Sequence, residues 1–245
     1  MRFITAGESH GKCLMTIIEG VPAGLYISPS AINADLARRQ SGYGRGGRMK
    51  IEKDKVEILS GVRGGYTLGS PITLKINNKD WENWETVMSP DPSADLNSKR
   101  VSRPRPGHVD LFGAVKYGHN DMRNVLERSS ARETAARVAA GAIAKCILSA
   151  FSVEVFSHVL RIGKEAIDKD LPIEQIKKNA SASPVFCADS QVEKRMLKEI
   201  DQHKLQGDTL GGVFEVIALN LPMGLGSYVH WDRKLDGKLA QSIMS

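Results

Sequence analysis

The chain has 245 residues, of which 41% are hydrophobic and 25% charged, so it has the length and composition of a globular protein with one large core or two small ones, and a disordered or fibrous chain is excluded. A formal charge of +6 favours anionic partners, whether nucleic acid, phosphorylated metabolite or acidic membrane. No run approaches the roughly 18 apolar residues of a membrane span, and the start, MRFITAGESHG, holds no signal-peptide apolar stretch; a soluble, cytoplasmic protein is expected. The first predicted element is a short strand over Phe3 to Ala6 that runs into a turn at Gly7. Glu8-Ser9-His10-Gly11 then sits at the strand's end, with glycines on either side of His10 that let a ligand approach the backbone. Leu14 to Glu19 continues as a second strand, and Val21 to Gly24 is a turn.

Ser28-Pro29-Ser30 carries the cap and first-turn signals of a helix through Ile32 and Leu36 that ends before Gly42, with Arg38 and Arg39 in the last turn, where the helix dipole favours cations. A glycine-rich loop follows, SGYGRGGR over 41–48, which has neither the lysine ending of a nucleotide P-loop nor the leading strand of a dinucleotide fingerprint. Strands are expected over Val56 to Ser60 and Ile72 to Ile76, and Asn77 to Arg100 reads as a long surface segment. Later elements are an alanine-rich helix from Ala131 to about Phe151, a strand over Val153 to Ile162, and a short helix within Lys164 to Asn179. An amphipathic helix from Gln191 to His203, with Val192, Met196, Leu197 and Ile200 on one face, precedes a strand over Gly211 to Leu221 and a last helix from near Lys234. Cys13, Cys146 and Cys187 are odd in number and lack metal-ligand spacing, which suggests a reducing compartment and no metal site.

Apart from Arg2, Arg161, Arg195 and Arg233, every arginine lies between Arg38 and Arg137. The densest stretch, Arg103 to Arg137, combines Arg103, Arg105, His108, His119, Arg123, Arg128, Ser129, Ser130, Arg132 and Arg137 with several glycines. Ser130 followed by Glu133 reads as a capping box at the start of the alanine-rich helix, so the helix N-terminus and guanidinium forks together would make an anion receptor.

Four separated stretches carry a family resemblance, in the same order along the chain. Gly7-Glu8-Ser9-His10-Gly11, the Arg39 to Arg48 loop, RPRPGHVD from Arg103 to Asp110, and ERSSARETAARVAAG from Glu127 to Gly141 resemble the signature segments of the chorismate synthase family. The resemblance extends over the whole chain. It implies an α+β sandwich with helices packed between two antiparallel sheets, as a single domain over 1–245 that is C-terminally incomplete, because the family carries a further segment with a catalytic Arg and Asp and several flavin contacts. It also implies a homotetramer. The activity implied is anti 1,4-elimination of phosphate from 5-enolpyruvylshikimate 3-phosphate to give chorismate, in the shikimate pathway of aromatic amino acid biosynthesis, dependent on reduced FMN without net redox change.

Carried over position by position, the resemblance makes His10 the general acid beside the leaving phosphate and His108 the group that protonates or hydrogen-bonds the reduced flavin. Arg39, Arg45, Arg48, Arg105 and Arg132 would clamp the substrate's two carboxylates and phosphate. Arg128, Ser129 and Ser130 would touch FMN, and NADPH as flavin reductant would add a second role for Arg39 and Arg45. His119, His158, His203 and His230 are expected to be structural or surface residues. Two other readings stand beside this one. A truncated inactive fragment would fold without turnover, and a basic nucleic-acid-binding protein would need aromatics interleaved with its cations, of which these loops offer few. Neither nucleic acid nor membrane is expected as a partner.

Overall fold

Alternation of apolar and polar residues places Leu14, Thr16 and Ile18 on one face of a strand and Ile72, Leu74 and Ile76 on the same face of another, and all six are buried. In the computed structural model, which describes residues 1–46 and 51–245, these strands lie side by side. Strands β1 (Arg2–Ala6), β2 (Cys13–Glu19), β3 (Val56–Ser60) and β6 (Ile72–Asn77) form an antiparallel sheet in the order β1-β2-β6-β3. Two short strands, β4 (Val62–Arg63) and β5 (Tyr66–Thr67), make a separate hairpin. A second antiparallel sheet has the order β8-β7-β9, from β7 (Glu154–Ile162), β8 (Glu165–Ala166) and β9 (Gly212–Leu219).

Helices fill the space between the sheets. Helix α1 (Pro29–Gln40) begins as its sequence requires: the Ser28 side chain accepts a hydrogen bond from the Ser30 N–H, and Pro29 takes the first turn. Its buried Ile32 and Leu36 join the core of the first sheet. Chain order continues through α2 (Glu85–Met88), α3 (Asp110–Tyr117), α4 (Arg123–Leu126) and α5 (Thr134–Ala150). Helix α5 packs on β2 and β6, on α1, and on β7 of the second sheet. Its buried face is Ala135, Ala136, Ala139, Ala140, Ala142 and Ile143, so the helix axis lies close to the strands, close enough for Thr16 Oγ1 to donate to the Ala136 carbonyl at 3.2 Å. Helices α6 (Ile173–Ala182) and α7 (Ser190–Gln206) cover β7. Asp189 caps α7 by accepting from the Gln191 and Val192 N–H groups, and the Lys169 ammonium at 2.6 Å holds its carboxyl down at about 2. Helix α8 (Leu235–Met244) ends the chain.

This is the expected α+β sandwich, with three differences in detail. The alanine-rich helix starts with a 3-10 turn over Ala131–Glu133, and its α-helical part begins at Thr134. The capping box is not formed: Ser130 Oγ accepts from the Arg132 N–H, but the Glu133 carboxylate turns away to Thr5 Oγ1 at 2.6 Å and to Arg137 at 2.9 Å. A hydroxyl on the neighbouring strand and a guanidinium one turn along the helix offer stronger partners than the Ser130 backbone N–H. The segment from Asn77 to Arg100 also holds more structure than its irregular composition suggests, with a 3-10 turn over Lys79–Asn83, helix α2, and buried Asn78 and Val87.

Close packing of α5 and its one exposed glycine give opposite stability effects two residues apart. Ala139→Leu, fully buried against the sheet, is expected to lower the unfolding free energy by roughly 1–3 kcal/mol. Gly141→Ala, where an added Cβ meets nothing within 4 Å, is expected to raise it by about 0.5–1 kcal/mol. Urea denaturation of the two variants checks both signs.

Candidate functional site

The site grows from the turn between β1 and β2. Gly7 leaves β1 with φ +104°, and a Cβ there would meet the Cys13 carbonyl at 2.3 Å, so only glycine fits. The turn carries Ser9 and His10 towards a residue 117 positions away: the His10 N–H donates to Glu127 Oε2 at 2.8 Å, and the Ser9 N–H donates to the Glu127 carbonyl at 3.0 Å. His10 Nδ1 lies 2.9 Å from both Glu127 carboxylate oxygens. The imidazole stacks on Trp84, with ring centroids 3.9 Å apart and planes inclined by 22°. That indole also lies under the Lys99 ammonium, 3.6 Å from its centroid, and the Arg123 guanidinium, at 4.8 Å. Asp80 Oδ2 is 3.8 Å from His10 Nε2. Burial pushes the Glu127 carboxyl up, but hydrogen bonds from the His10 ring and backbone and from Arg123 outweigh it, leaving the group below its ordinary value and ionised at neutral pH.

Beneath this turn lies a buried guanidinium. Arg132 Nη1 pairs with Asp54 Oδ1 at 2.6 Å, Nε donates to Asn78 Oδ1 at 2.8 Å, and Nη2 is 3.6 Å from Glu52 Oε2, with no hydrogen-bond partner among the described residues. Asn78 in turn donates from Nδ2 to the Gly11 carbonyl at 2.7 Å and the Glu8 carbonyl at 3.2 Å. Arg39 joins the same group, donating to the Ala131 carbonyl at 2.9 Å and Thr134 Oγ1 at 3.0 Å, with Asp54 at 3.4 Å. The histidine turn, the end of α1 and the start of α5 are therefore held by one set of polar contacts.

Arg128, Ser129 and Ser130 stand at the entry to α5. Arg128 reaches back to the Thr5 carbonyl, Thr5 Oγ1 and the Gly7 carbonyl, and Ser129 Oγ donates to the Val125 carbonyl. A cavity of about 390 Å³ opens here, lined among others by Arg128, Ser129, Ser130, Glu133, Thr134 and Arg137. Arg105 and His108 form a separate cluster around buried Asp110 at the start of α3, where Arg105 Nε donates to Asp110 Oδ2 at 2.9 Å and the His108 ring hydrogen-bonds Asp110 Oδ1. The Arg105 guanidinium, with help from its backbone N–H and from His108, holds the Asp110 carboxyl at about 2.

The structure thus gathers His10, Arg39, Arg128, Ser129, Ser130 and Arg132 about the start of α5, and pairs Arg105 with His108 in the loop that leads into α3, the helix that packs on α4. Arg45 is exposed beyond the tight turn at Gly42, and Arg48 lies outside the described residues. His119 sits beside Tyr117, His158 and His230 pair with Glu215 and Asp232, and His203 bonds the Glu199 carbonyl. Sequence reasoning missed the carboxylates, the amide and the ring that position these groups: Glu127, Asp54 and Asp110, Asn78, and Trp84. Glu127 opens ERSSARETAARVAAG and Asp110 closes RPRPGHVD, so their places were visible although their partners were not. Among the described residues no group of three or more His, Cys, Asp or Glu could hold a metal ion, and no helix is long and apolar enough to cross a membrane.

Comparison with known proteins adds the following. The family model described as chorismate synthase matches residues 1–245. Chorismate synthases of Listeria welshimeri, Desulforamulus reducens and Carboxydothermus hydrogenoformans are 57%, 57% and 58% identical to the chain, each over 100% of it and 64% of the relative. A crystal structure of a chorismate synthase superposes with a TM-score of 0.81 at 44% identity, covering 99% of this chain and 65% of that one. The chain therefore spans about 64% of the length of the curated relatives it matches.

Asp110 and Glu127 both have folded-state pKa values below their unfolded ones. The stability they contribute is present above about pH 4 and lost as pH falls through the folded values, down to about 2 for Asp110. Asp110→Asn is thus expected to be less stable than the parent at pH 7, and the difference should close towards pH 2. Urea midpoints at both pH values check it; an unchanged difference contradicts it.

Proposed function

The chain belongs to the chorismate synthase family, and from that premise we propose that it is a carbon–oxygen lyase that expels phosphate from 5-enolpyruvylshikimate 3-phosphate to give chorismate, with reduced FMN at the start of α5. The observation that carries this reading is the junction between the His10 turn and the Glu127 to Arg137 run, which brings an imidazole beside a cluster of guanidinium groups at the beginning of a helix. An anion with several charged groups is the ligand such a cluster suits, because guanidinium forks bind carboxylate and phosphate bidentately.

The donor set at the cavity fits a phosphate-bearing cofactor: Arg128 and Arg137 are both half-exposed at its rim, beside Ser129 and Ser130. Those four residues would hold FMN, with His108 as the further contact the family resemblance assigns. When bound, reduced flavin supplies the electron-rich ring that assists loss of the substrate's C6 hydrogen. His10 donates to the departing phosphate from Nε2, which lowers the cost of the charge that collects on its oxygens. Arg39, Arg45, Arg48, Arg105 and Arg132 are proposed to position the substrate. Of these, Arg39 and Arg132 lie within the polar group that holds the turn, so they would act partly by fixing its shape. Arg39 and Arg45 are also proposed as contacts for NADPH as reductant.

The same reading makes residues 1–245 part of one domain, in a cytoplasmic homotetramer. Apolar side chains are left exposed on β9 and beyond it, including Phe214, Val216, Met223, Tyr228 and Trp231, a surface for a further segment such as the longer relatives carry or for another copy of the chain.

Two variants test the assignment. In a version extended to the relatives' full length, His10→Ala and His108→Ala are each expected to lower turnover of 5-enolpyruvylshikimate 3-phosphate by roughly 10²- to 10⁴-fold, the loss typical of a positioned acid or base. Near-normal turnover in both would contradict it. Titrating reduced FMN and substrate into the 245-residue chain and the extended one shows which part of the binding this chain supplies.

A further inference from the structure

We infer that Glu127 is the positioning residue for His10: its carboxylate takes the Nδ1–H, so that Nε2 is the nitrogen that gives up a proton and the ring returns to the Nδ1–H tautomer. This rests on the reading of His10 as proton donor but is separable from it. An ionised carboxylate only accepts hydrogen bonds, so the hydrogen shared at 2.9 Å between His10 Nδ1 and Glu127 must belong to the ring. Glu127 is fixed independently of that bond. Its side chain is 1% exposed, its Oε1 receives the Arg123 guanidinium at 2.9 Å, and its Oε2 receives the His10 backbone N–H at 2.8 Å. The ring plane is set as well, by the stack on Trp84.

On the other side, Asp80 faces Nε2 from the 3-10 turn Lys79–Asn83 at 3.8 Å, beyond hydrogen-bond length. Lys99 and Arg123 lie against the far ring of the stack, Trp84, and Arg123 also pairs with Glu127 itself. Of the two carboxylates, Glu127 is the one within hydrogen-bond length, and it places the ring hydrogen on Nδ1. In the donor step, the Nε2–H bond of the imidazolium breaks, its electron pair stays on Nε2, and the proton forms an O–H bond on the leaving phosphate. Nδ1 keeps its proton throughout, and Glu127 offsets the ring's charge before the step. Trp84 and Glu127 therefore act through His10 and need not touch substrate.

Nitrogen-15 spectra of the histidine rings read this without turnover, in the 245-residue chain, with His10 identified by loss of its signals in His10→Gln. Above the pH at which the ring becomes neutral, the Nδ1–H tautomer is expected to exceed Nε2–H by about tenfold or more, the ratio sustained by about 1.4 kcal/mol. Glu127→Gln should erase that excess. Dominance of Nε2–H in the parent chain overturns the inference, and that result needs no variant to fold. An unchanged ratio in a folded Glu127→Gln variant overturns it too. Inorganic phosphate added to the parent chain then separates the two ideas. A shift at Nε2 supports the donor reading along with the tautomer; the Nδ1–H tautomer with no response at Nε2 contradicts the donor reading and leaves the role of Glu127 standing.

Discussion

The buried Arg132 guanidinium is the constraint on which the site depends. A charge this deep is tolerated only when opposite charge and hydrogen bonds surround it, and Asp54, Glu52 and Asn78 do so. Asn78 uses its remaining donors to hold the Glu8 and Gly11 carbonyls, so the partner that satisfies Arg132 also shapes the turn that presents His10. Asp54 is shared with Arg39 at the end of α1. One ion-paired cluster thereby fixes the relative positions of the β1–β2 turn, the end of α1 and the start of α5. Breaking a single partner leaves uncompensated charge in the interior, and the effect should spread to all three.

Pairing also changes what the abundance of arginine means. Arg105, Arg123, Arg132 and Arg137 are each matched to a carboxylate of the same chain, namely Asp110, Glu127, Asp54 and Glu133. Pairing of the deeper cations therefore holds the walls in place, while Arg128 and Arg137, both near Glu133 yet half-exposed at the cavity rim, remain accessible to an anion. Such a division suits a site that must hold a multiply charged ligand without collapsing when the ligand leaves.

Much of the fold was legible because it follows local rules. Strict alternation in Leu14 to Ile18 and Ile72 to Ile76, the Ser28-Pro29 start of α1 and the alanine run of α5 each encode their element within a few residues. The helices α3 and α4 carry no comparable signal, because α3 has only eight residues, interrupted by Gly113, and α4 has only four, too few to repeat an apolar face. The capping box failed for a tertiary reason: Thr5 on a distant strand competes for Glu133. The site divides the same way. His10, His108 and the arginines stood out by type and by family resemblance, whereas Trp84 lay in a stretch with no period, and Glu127, Asp54 and Asn78 take their main partners from 54 to 117 residues away. Arg132 was legible as a cation at a helix start, but that it is buried among carboxylates was not.

A double-mutant cycle between Arg132 and Asp54, read by urea unfolding of Arg132→Met, Asp54→Leu and the pair, tests the central constraint most directly. If the buried pair holds the site together, each single variant loses roughly 3–5 kcal/mol and the double variant is less destabilised than their sum by roughly 1–3 kcal/mol. Losses that simply add would show that Arg132 and Asp54 act independently and would contradict the role given to them here.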